Sequence, residues 1–353
     1  MRVVVAGACG FVGSRLAQEL KRRLSDVEIV GVDNLARRGS ETNVAAIKRL
    51  GTFVHGDVRS SEDVQDLPRC DWILDCAANP SVLAGVDGGT GQLIGHNLGG
   101  TLNLLEKCRR DQAGIVVLSS SRVYSIEQLS AIPLSASGSR FVIDTARPLP
   151  AGCSAEGISE TFSTAAPVSL YGATKLASEI VALEYGAAFN LPVWVNRCGV
   201  IAGPGQFGRP DQGIFSYWIY QWLLGKPLSY IGYGGKGQQV RDFIAPSDLA
   251  ALIEKQLRGA SGPVPRLVNV GGGVDRSMSL AELSSFCAEH VGPAPQLRAI
   301  PEDRRYDIPH FVTDARLARA TWSWEPRETR EETLQAILRW ARDNRGLLES
   351  FAP

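Results

Sequence analysis

The stretch Tyr171-Gly172-Ala173-Thr174-Lys175 sets a phenol and an ammonium four positions apart. On a helix, here one running to about Phe189, that spacing puts both side chains on one face. A phenol is a poor base at neutral pH, because its ordinary pKa is about 10. An ammonium a few ångströms away stabilises the phenolate and lowers that value. Such a pair could take the proton of an alcohol or sugar hydroxyl while a hydride leaves the same carbon. The same spacing also fits a solvated helix face, so its meaning depends on what the chain brings to it. One candidate partner is the run Ser119-Ser120-Ser121-Arg122-Val123-Tyr124, in which a hydroxyl could steady the reacting oxygen beside Tyr171. A serine cluster after a strand is also ordinary turn chemistry.

The elements that would position these groups begin at the N-terminus. Arg2 to Ala6 is an apolar, β-branched run, followed by Gly7, Gly10 and Gly13 and a helical pattern from Phe11 to Leu24. A strand that turns on glycines into a helix offers free backbone N–H groups at the positive end of a dipole, which seats a pyrophosphate. Gly7, Gly10, Phe11, Val12 and Gly13 are placed against that ligand, the glycines letting the backbone approach it closely. The next run, Glu28 to Val32, ends at Asp33, about 20 residues after the last glycine, where a ribose-binding acid belongs. Its carboxylate would bond the adenosine ribose and repel a 2′-phosphate, which favours NAD. Arg37 and Arg38 stand close enough in sequence to accept that phosphate instead, and Asn34 could share the ribose contact.

Strand and helix patterns continue to alternate: Thr52 to His55, Trp72 to Cys76, a helix from about Leu93 to Arg110, Ile115 to Leu118, Pro192 to Asn196, and Val268 to Gly271. This predicts an α/β fold with a doubly wound parallel sheet, a Rossmann fold. Asp57-Val58 follows the third strand and could meet the adenine edge; Asp57 fits a turn cap equally well. Ala77, Ala78, Asn79 and Pro80 leave the fourth strand at the sheet's carboxyl edge. Asn97 and Thr101 could face the cofactor or only cap and pack within their helix.

Bulk properties exclude several classes. The 353 residues are 44% hydrophobic and 21% charged, as in an ordinary globular protein. Lys+Arg and Asp+Glu both number 37, so neither nucleic acid nor an anionic membrane is expected as a partner. Seven cysteines without a C-x-x-C pair read as reduced thiols of a cytoplasmic protein. Four scattered histidines give no metal-ligand spacing. No secretory pattern opens the chain. The apolar run Gly213 to Leu224 is too short to span a bilayer, and its Tyr217, Trp218, Tyr220 and Trp222 read as core and pocket lining.

Glycines 7, 10 and 13, Asp33, the serine cluster and Tyr171/Lys175, in this order, resemble the extended short-chain dehydrogenase/reductase family over essentially the full chain. The resemblance implies bound NAD, Tyr171 as base or acid, and Lys175 on the nicotinamide ribose. It places a catalytic hydroxyl at Ser120, with Ser121 the adjacent contender, and Ser119 beside the cofactor. Longer strings resemble the branch that inverts C2 of a CDP-hexose: Asp33 to Ser40, Cys76 to Val82, Ser121 to Ser125, Asn196 to Gly199, and Gly203 to Gly213. They imply substrate contacts at Asn79, Ser121, Arg122, Asn196 and Gln206. Arg241 and Arg304, with Arg305 next to it, match positions that grip the diphosphate. The implied reaction passes through a transient 2-keto sugar. Inversion of C4 in a UDP-hexose uses the same Tyr, Lys and Ser, and a non-catalytic NAD-binding sensor is the rival of another class. The family's dehydratases and decarboxylases carry acids just after the serine or threonine; Ser121-Arg122 stands there instead, and a cation cannot be the base of an elimination.

The domain organisation expected is a NAD-binding domain over 1–199 with returns at about 238–272, and a nucleotide-sugar lobe from 200–237 and 273–353. Residues 125–168 form an insertion of more than forty residues, read as a cover over the site ending in Ser163 near the sugar, or as a surface elaboration or oligomer contact. Thr333 to Arg342 is a packing helix, with fraying expected after Arg345. By resemblance, a homodimer would form through the helices 93–110 and 171–189.

Overall fold

The computed structural model describes residues 1–86, 88–259 and 262–351. Its principal elements are β1 (Arg2–Ala6), α1 (Phe11–Arg23), β2 (Glu28–Asp33), β3 (Gly51–His55), β4 (Trp72–Asp75), α2 (Gly100–Asp111), β5 (Gly114–Ser120) and α3 (Ser169–Phe189). They continue with β6 (Val193–Cys198), α4 (Ile214–Leu223), β7 (Val240–Ile244), α5 (Pro246–Arg258), β8 (Leu267–Val270), α6 (Arg330–Asp343) and α7 (Arg345–Phe351). Seven parallel strands form one sheet in the order β8-β6-β5-β4-β1-β2-β3. The strand order reverses between β1 and β4, so a crevice opens there at the carboxyl ends. Helices cover both faces, which is why β1 can be apolar without alternation. On one side α1 and α5 pack Leu16, Leu20, Leu249 and Ile253 over the sheet. On the other, α2 and α3 bring Leu104, Leu105 and Ala182. The doubly wound sheet is as expected.

The second lobe departs from the expected boundaries. β7 belongs to a small four-stranded sheet with Val200–Ile201, Ser277–Ser279 and His310–Phe311 rather than to the large one. The return to the large sheet therefore starts at Pro246, with α5 and β8. Residues 315–324 return as well, because Trp194 on β6 needs a partner on that face. Trp322 meets it edge-on, with ring centroids 4.9 Å apart at 88°. A third core joins α4 and α6 through Trp218, Trp222, Ile337 and Leu338. The aromatic run of α4 is thus core; of that helix, Ile214 and Phe215 reach the main cavity. Arg345–Phe351 is helical rather than frayed: α7 buries Leu348 and sets Phe351 against Phe207, 4.7 Å between centroids.

Residues 125–168 line neither cavity described below, and their backbone contacts brace the second lobe. Their hairpin, Leu134–Ser137 with Arg140–Ile143, docks by backbone on the outer side of the second lobe. The Phe141 N–H donates to the Gln238 carbonyl at 3.0 Å, and the Ser279 hydroxyl to the Ser139 carbonyl at 2.8 Å. Ile158 N–H closes the other end on the Val312 carbonyl at 2.8 Å. Among the described residues no helix is long and apolar enough to cross a membrane.

Candidate active site

A cavity of about 310 Å³ opens at the carboxyl ends of β4, β5 and β6. Tyr171 and Lys175 enter it from the first turns of α3, 7% and 3% exposed. Gly172 lets that helix lie against the serine turn, since a Cβ there would come within 2.2 Å of the Arg122 carbonyl. Ser120 caps the short 3₁₀ turn Ser121–Val123, its hydroxyl oxygen accepting the Arg122 N–H at 3.1 Å. Ser120 and Ser121 both line the cavity. Ser119 lines it too, but donates its hydroxyl proton to Glu179. Glu179 in turn receives a two-pronged contact from Arg197, with the shortest N···O distance 2.8 Å. Below Lys175 lies Asp75, wholly enclosed, accepting the Thr101 hydroxyl at 2.7 Å and the Ala77 N–H at 3.2 Å. Burial pushes the Asp75 carboxyl above the usual carboxylate range, against the pull of Lys175.

A second cavity, about 130 Å³, lies at the N-terminus of α1 and is lined by Cys9, Gly10, Phe11, Val12, Gly13, Arg37 and Arg38. No side chain caps α1 at Gly10, so its first N–H groups are left for an anion. A Cβ on Gly13 would lie 2.1 Å from the Gly7 carbonyl oxygen, so only glycine permits the turn. Asp33 is fixed at the tip of β2, its carboxylate accepting N–H groups of Cys9 at 2.9 Å and Leu35 at 2.8 Å.

The far wall of the main cavity is cationic. Arg241 donates to the Asp307 carboxylate at 3.1 Å and to the Ile308 carbonyl at 2.7 Å. Arg122 donates to the Tyr306 carbonyl at 3.2 Å, and Arg304 to the Pro210 carbonyl at 3.4 Å. Burial, with Arg241 beside it, lowers the Arg122 guanidinium to about 10. A site with a proton-transfer pair, a dinucleotide seat and clustered guanidiniums suits chemistry on a phosphorylated sugar.

Residues 3–271 match the family described as NAD dependent epimerase/dehydratase. The chain belongs to that family. It is 28% identical to CDP-paratose 2-epimerase of Salmonella typhi, over 96% of this chain and 99% of that one. It is 27% identical to UDP-glucuronate 4-epimerase 4 of Arabidopsis thaliana, over 96% of this chain and 74% of that one. The crystal structure of UDP-glucose 4-epimerase from Thermus thermophilus in complex with NAD superposes with a TM-score of 0.74. It is 26% identical and covers 97% of this chain and 99% of that one. The chain is therefore an NAD-dependent enzyme of nucleotide-sugar chemistry, and the seat at α1 fits NAD.

As an epimerase/dehydratase family member, the chain gathers most of the expected residues and sets others aside. Val12, Ala78, Ser119, Ser120, Ser121, Arg122, Tyr171, Lys175, Gln206, Arg241 and Arg304 share the main cavity. Gln206 spans both cavities, its amide held by the Ile201 carbonyl at 3.1 Å and the Ser216 hydroxyl at 3.1 Å. Gly7 sits at the turn, and Ala77 under it: a Cβ on Gly7 would lie 3.0 Å from the Ala77 backbone. Arg38 points to the C-terminal helix, donating to the Ser350 carbonyl at 2.7 Å. Asn34 is turned to Asp57 at 2.9 Å, and Arg59 holds the Asp57 carboxylate far below its usual range. Val58 packs beneath Gly100.

Four of the expected contact residues have other partners in this structure. Asn196 faces α5, in a reciprocal amide pair with Gln256 at 2.9 and 2.8 Å, because strand residues alternate faces and Arg197 takes the other. Asn97 spends its amide on the Asn79 backbone, at 2.8 and 3.2 Å, and on Thr174 at 3.0 Å, so it pins a loop to α3. Asn79 is held there and lines neither cavity. Ser163 is drawn toward the brace, its carbonyl accepting the Ser125 N–H at 2.8 Å. Sequence reasoning missed Tyr306, Asp307, Asp211 and Gln239 as cavity walls, and Glu179 and Arg197 beneath the serines. For Glu179 a signal existed, its i,i+4 spacing from Lys175.

Proposed function

We propose that this enzyme inverts C2 of a CDP-hexose, of the CDP-paratose/CDP-tyvelose type, through a transient 2-keto sugar. The observation that carries the reading is one cavity containing Tyr171, Lys175 and Ser120 together with Arg122, Arg241 and Arg304. Gly7, Gly10, Gly13, Asp33 and Lys175 would hold NAD, which when bound supplies reversible hydride acceptance. Tyr171 takes the proton of the sugar hydroxyl and later returns it, and Ser120 holds the same oxygen. The guanidiniums keep the nucleotide diphosphate in place while the free sugar end turns its other face. Arg122, where an acid would be needed, disfavours dehydration. The relative from Salmonella typhi supports C2 and cytidine. The relatives named for uridine-linked sugars favour the second reading, C4 inversion of a UDP-sugar.

The test is a panel of nucleotide sugars without added cofactor, product stereochemistry being read by proton NMR. Interconversion of CDP-paratose and CDP-tyvelose is expected; a C4 product from a UDP-hexose replaces the reading. Tyr171→Phe should abolish turnover while NAD stays bound, whereas a sensor would be indifferent. The same reading includes a homodimer and a cytoplasmic setting. Ile180 on α3 is 56% exposed and Ile94, at the end of the helical turn Thr90–Ile94 leading into α2, is 46% exposed. Both are large apolar side chains left open to a second copy, and Ile180→Lys should yield a monomer by sedimentation. Seven free thiols suit a reducing compartment.

A further inference from the structure

The guanidiniums of Arg122, Arg241 and Arg304 gather at one five-residue loop, residues 304–308, which also carries Arg305. Arg304 lies within it, Arg241 is bonded to Asp307 and Ile308, and Arg122 to the Tyr306 carbonyl. All three line the main cavity, and Asp307 is the carboxylate that Arg241 bonds there. Positive charge thus exceeds negative in an enclosed place, which is costly until an anion enters. Tyr306 holds its place in the left-handed region, φ 63°, a conformation that side chains rarely adopt. Arg122 differs from the other two in its origin. It stands on the turn capped by Ser120, whose hydroxyl oxygen accepts the Arg122 N–H. A cation of the anion-binding wall is therefore carried by the same turn as the hydroxyl at the reacting centre.

We propose that Arg122 grips the sugar-proximal phosphate together with Arg241 and Arg304 and thereby selects the ring carbon presented to Tyr171. The phosphate is attached at C1. Held from the turn that also carries Ser120, it leaves the neighbouring carbon, C2, at the phenol, while C4 lies across the ring. This deepens the nucleotide-sugar reading above and rests on it. A uronic carboxylate on the sugar is the other anion a guanidinium could take. Phosphate is favoured because Arg122 is bonded to the same loop as Arg241, the loop that carries Arg304.

The test uses NAD-loaded wild type, Arg122→Gln and Arg122→Lys, titrated calorimetrically with CMP, CDP and UDP-glucuronate. Only CDP and the nucleotide sugar carry the second phosphate. Arg122→Gln should weaken CDP about tenfold or more while CMP stays within about twofold, and Arg122→Lys should fall between. CMP binding in each variant reports an intact pocket. Unchanged CDP affinity overturns the proposal, and so does an equal loss for CMP and CDP, which would make Arg122 structural. A loss confined to UDP-glucuronate overturns it in favour of a carboxylate partner. Failure of the C2 reading appears separately, in product stereochemistry.

Discussion

Ser120 and Ser121 are neighbours in one cavity, and the turn distinguishes them: Ser120 is its N-cap and Ser121 its first residue. Ser120→Ala should lower kcat about a hundredfold, the cost of losing one preorganised donor. Ser121→Ala should shift KM more than kcat, and steady-state kinetics with NAD-loaded enzyme reads both. A second carboxylate answers to pH. Asp242 lies buried behind the cavity wall, accepting the Gly272 N–H at 2.9 Å, the Gly273 N–H at 3.1 Å and the Thr313 hydroxyl at 3.1 Å. Burial raises it from 3.8 to about 6. Between those values the folded chain holds a proton that the unfolded chain has released, so stability falls as pH rises through the window. Asp242→Asn carries no such proton. The stability of wild type relative to Asp242→Asn should therefore drop by on the order of 3 kcal/mol from pH 3.5 to 7. Urea unfolding at the two pH values measures it; a constant difference would mean the carboxyl ionises as freely inside as outside.

α3 sets Tyr171, Lys175 and Glu179 at successive four-residue spacings. At that spacing a carboxylate and an ammonium attract each other. Arg197 on β6 and Ser119 on β5 take up the Glu179 carboxylate, leaving the lysine for the cavity. Arg197→Gln leaves a buried carboxylate without its cation, at a cost of about 3–5 kcal/mol, and frees it to draw Lys175 away. Activity should fall, and the pH–rate profile should change. Arg197→Gln with Glu179→Gln should recover stability and part of the activity. A double variant as inactive as the single, with its profile unchanged, would limit Arg197 to a structural role. This pair also marks where sequence reading stops. The strands, the glycine turn and α3 follow from local patterns of apolar residues and breakers. Which member of Asn196-Arg197 faces the serines depends on strand register, and that comes from pairing with β5 and β8. A resemblance carried by a whole string cannot tell its inward residues from its outward ones, so it groups Asn196, which pairs with Gln256, with Arg197, which turns to Glu179.

Across the whole molecule, the sequence after Gly199 loses its regular alternation, and its order comes from contacts between distant segments. The C-terminal helix is the clearest case: Arg345–Phe351 is too short to be stable alone. It forms because Leu348 is buried and Phe351 rests on Phe207, while Trp340 meets the same ring edge-on at 5.9 Å. Arg38 ties the end down, with its guanidinium 5.0 Å over the Phe351 ring. Phe207 in turn lies on Gly39, where a Cβ would sit 2.7 Å from the ring, and both residues line the groove at α1. The last helix thus presses the 205–207 loop onto the dinucleotide seat from a point more than three hundred residues along the chain from the glycines. The proposed redox-neutral epimerisation would gain from this, because the same NAD must take and return the hydride. Phe207→Ala, and separately deletion of residues 345–353, should release that pressure. Wild-type protein is expected to keep NAD through gel filtration and to work without addition. The variants should lose it and regain turnover only as NAD is supplied, with a measurable KM for NAD. Retention equal to wild type in both variants would show that the glycine turn alone holds the cofactor.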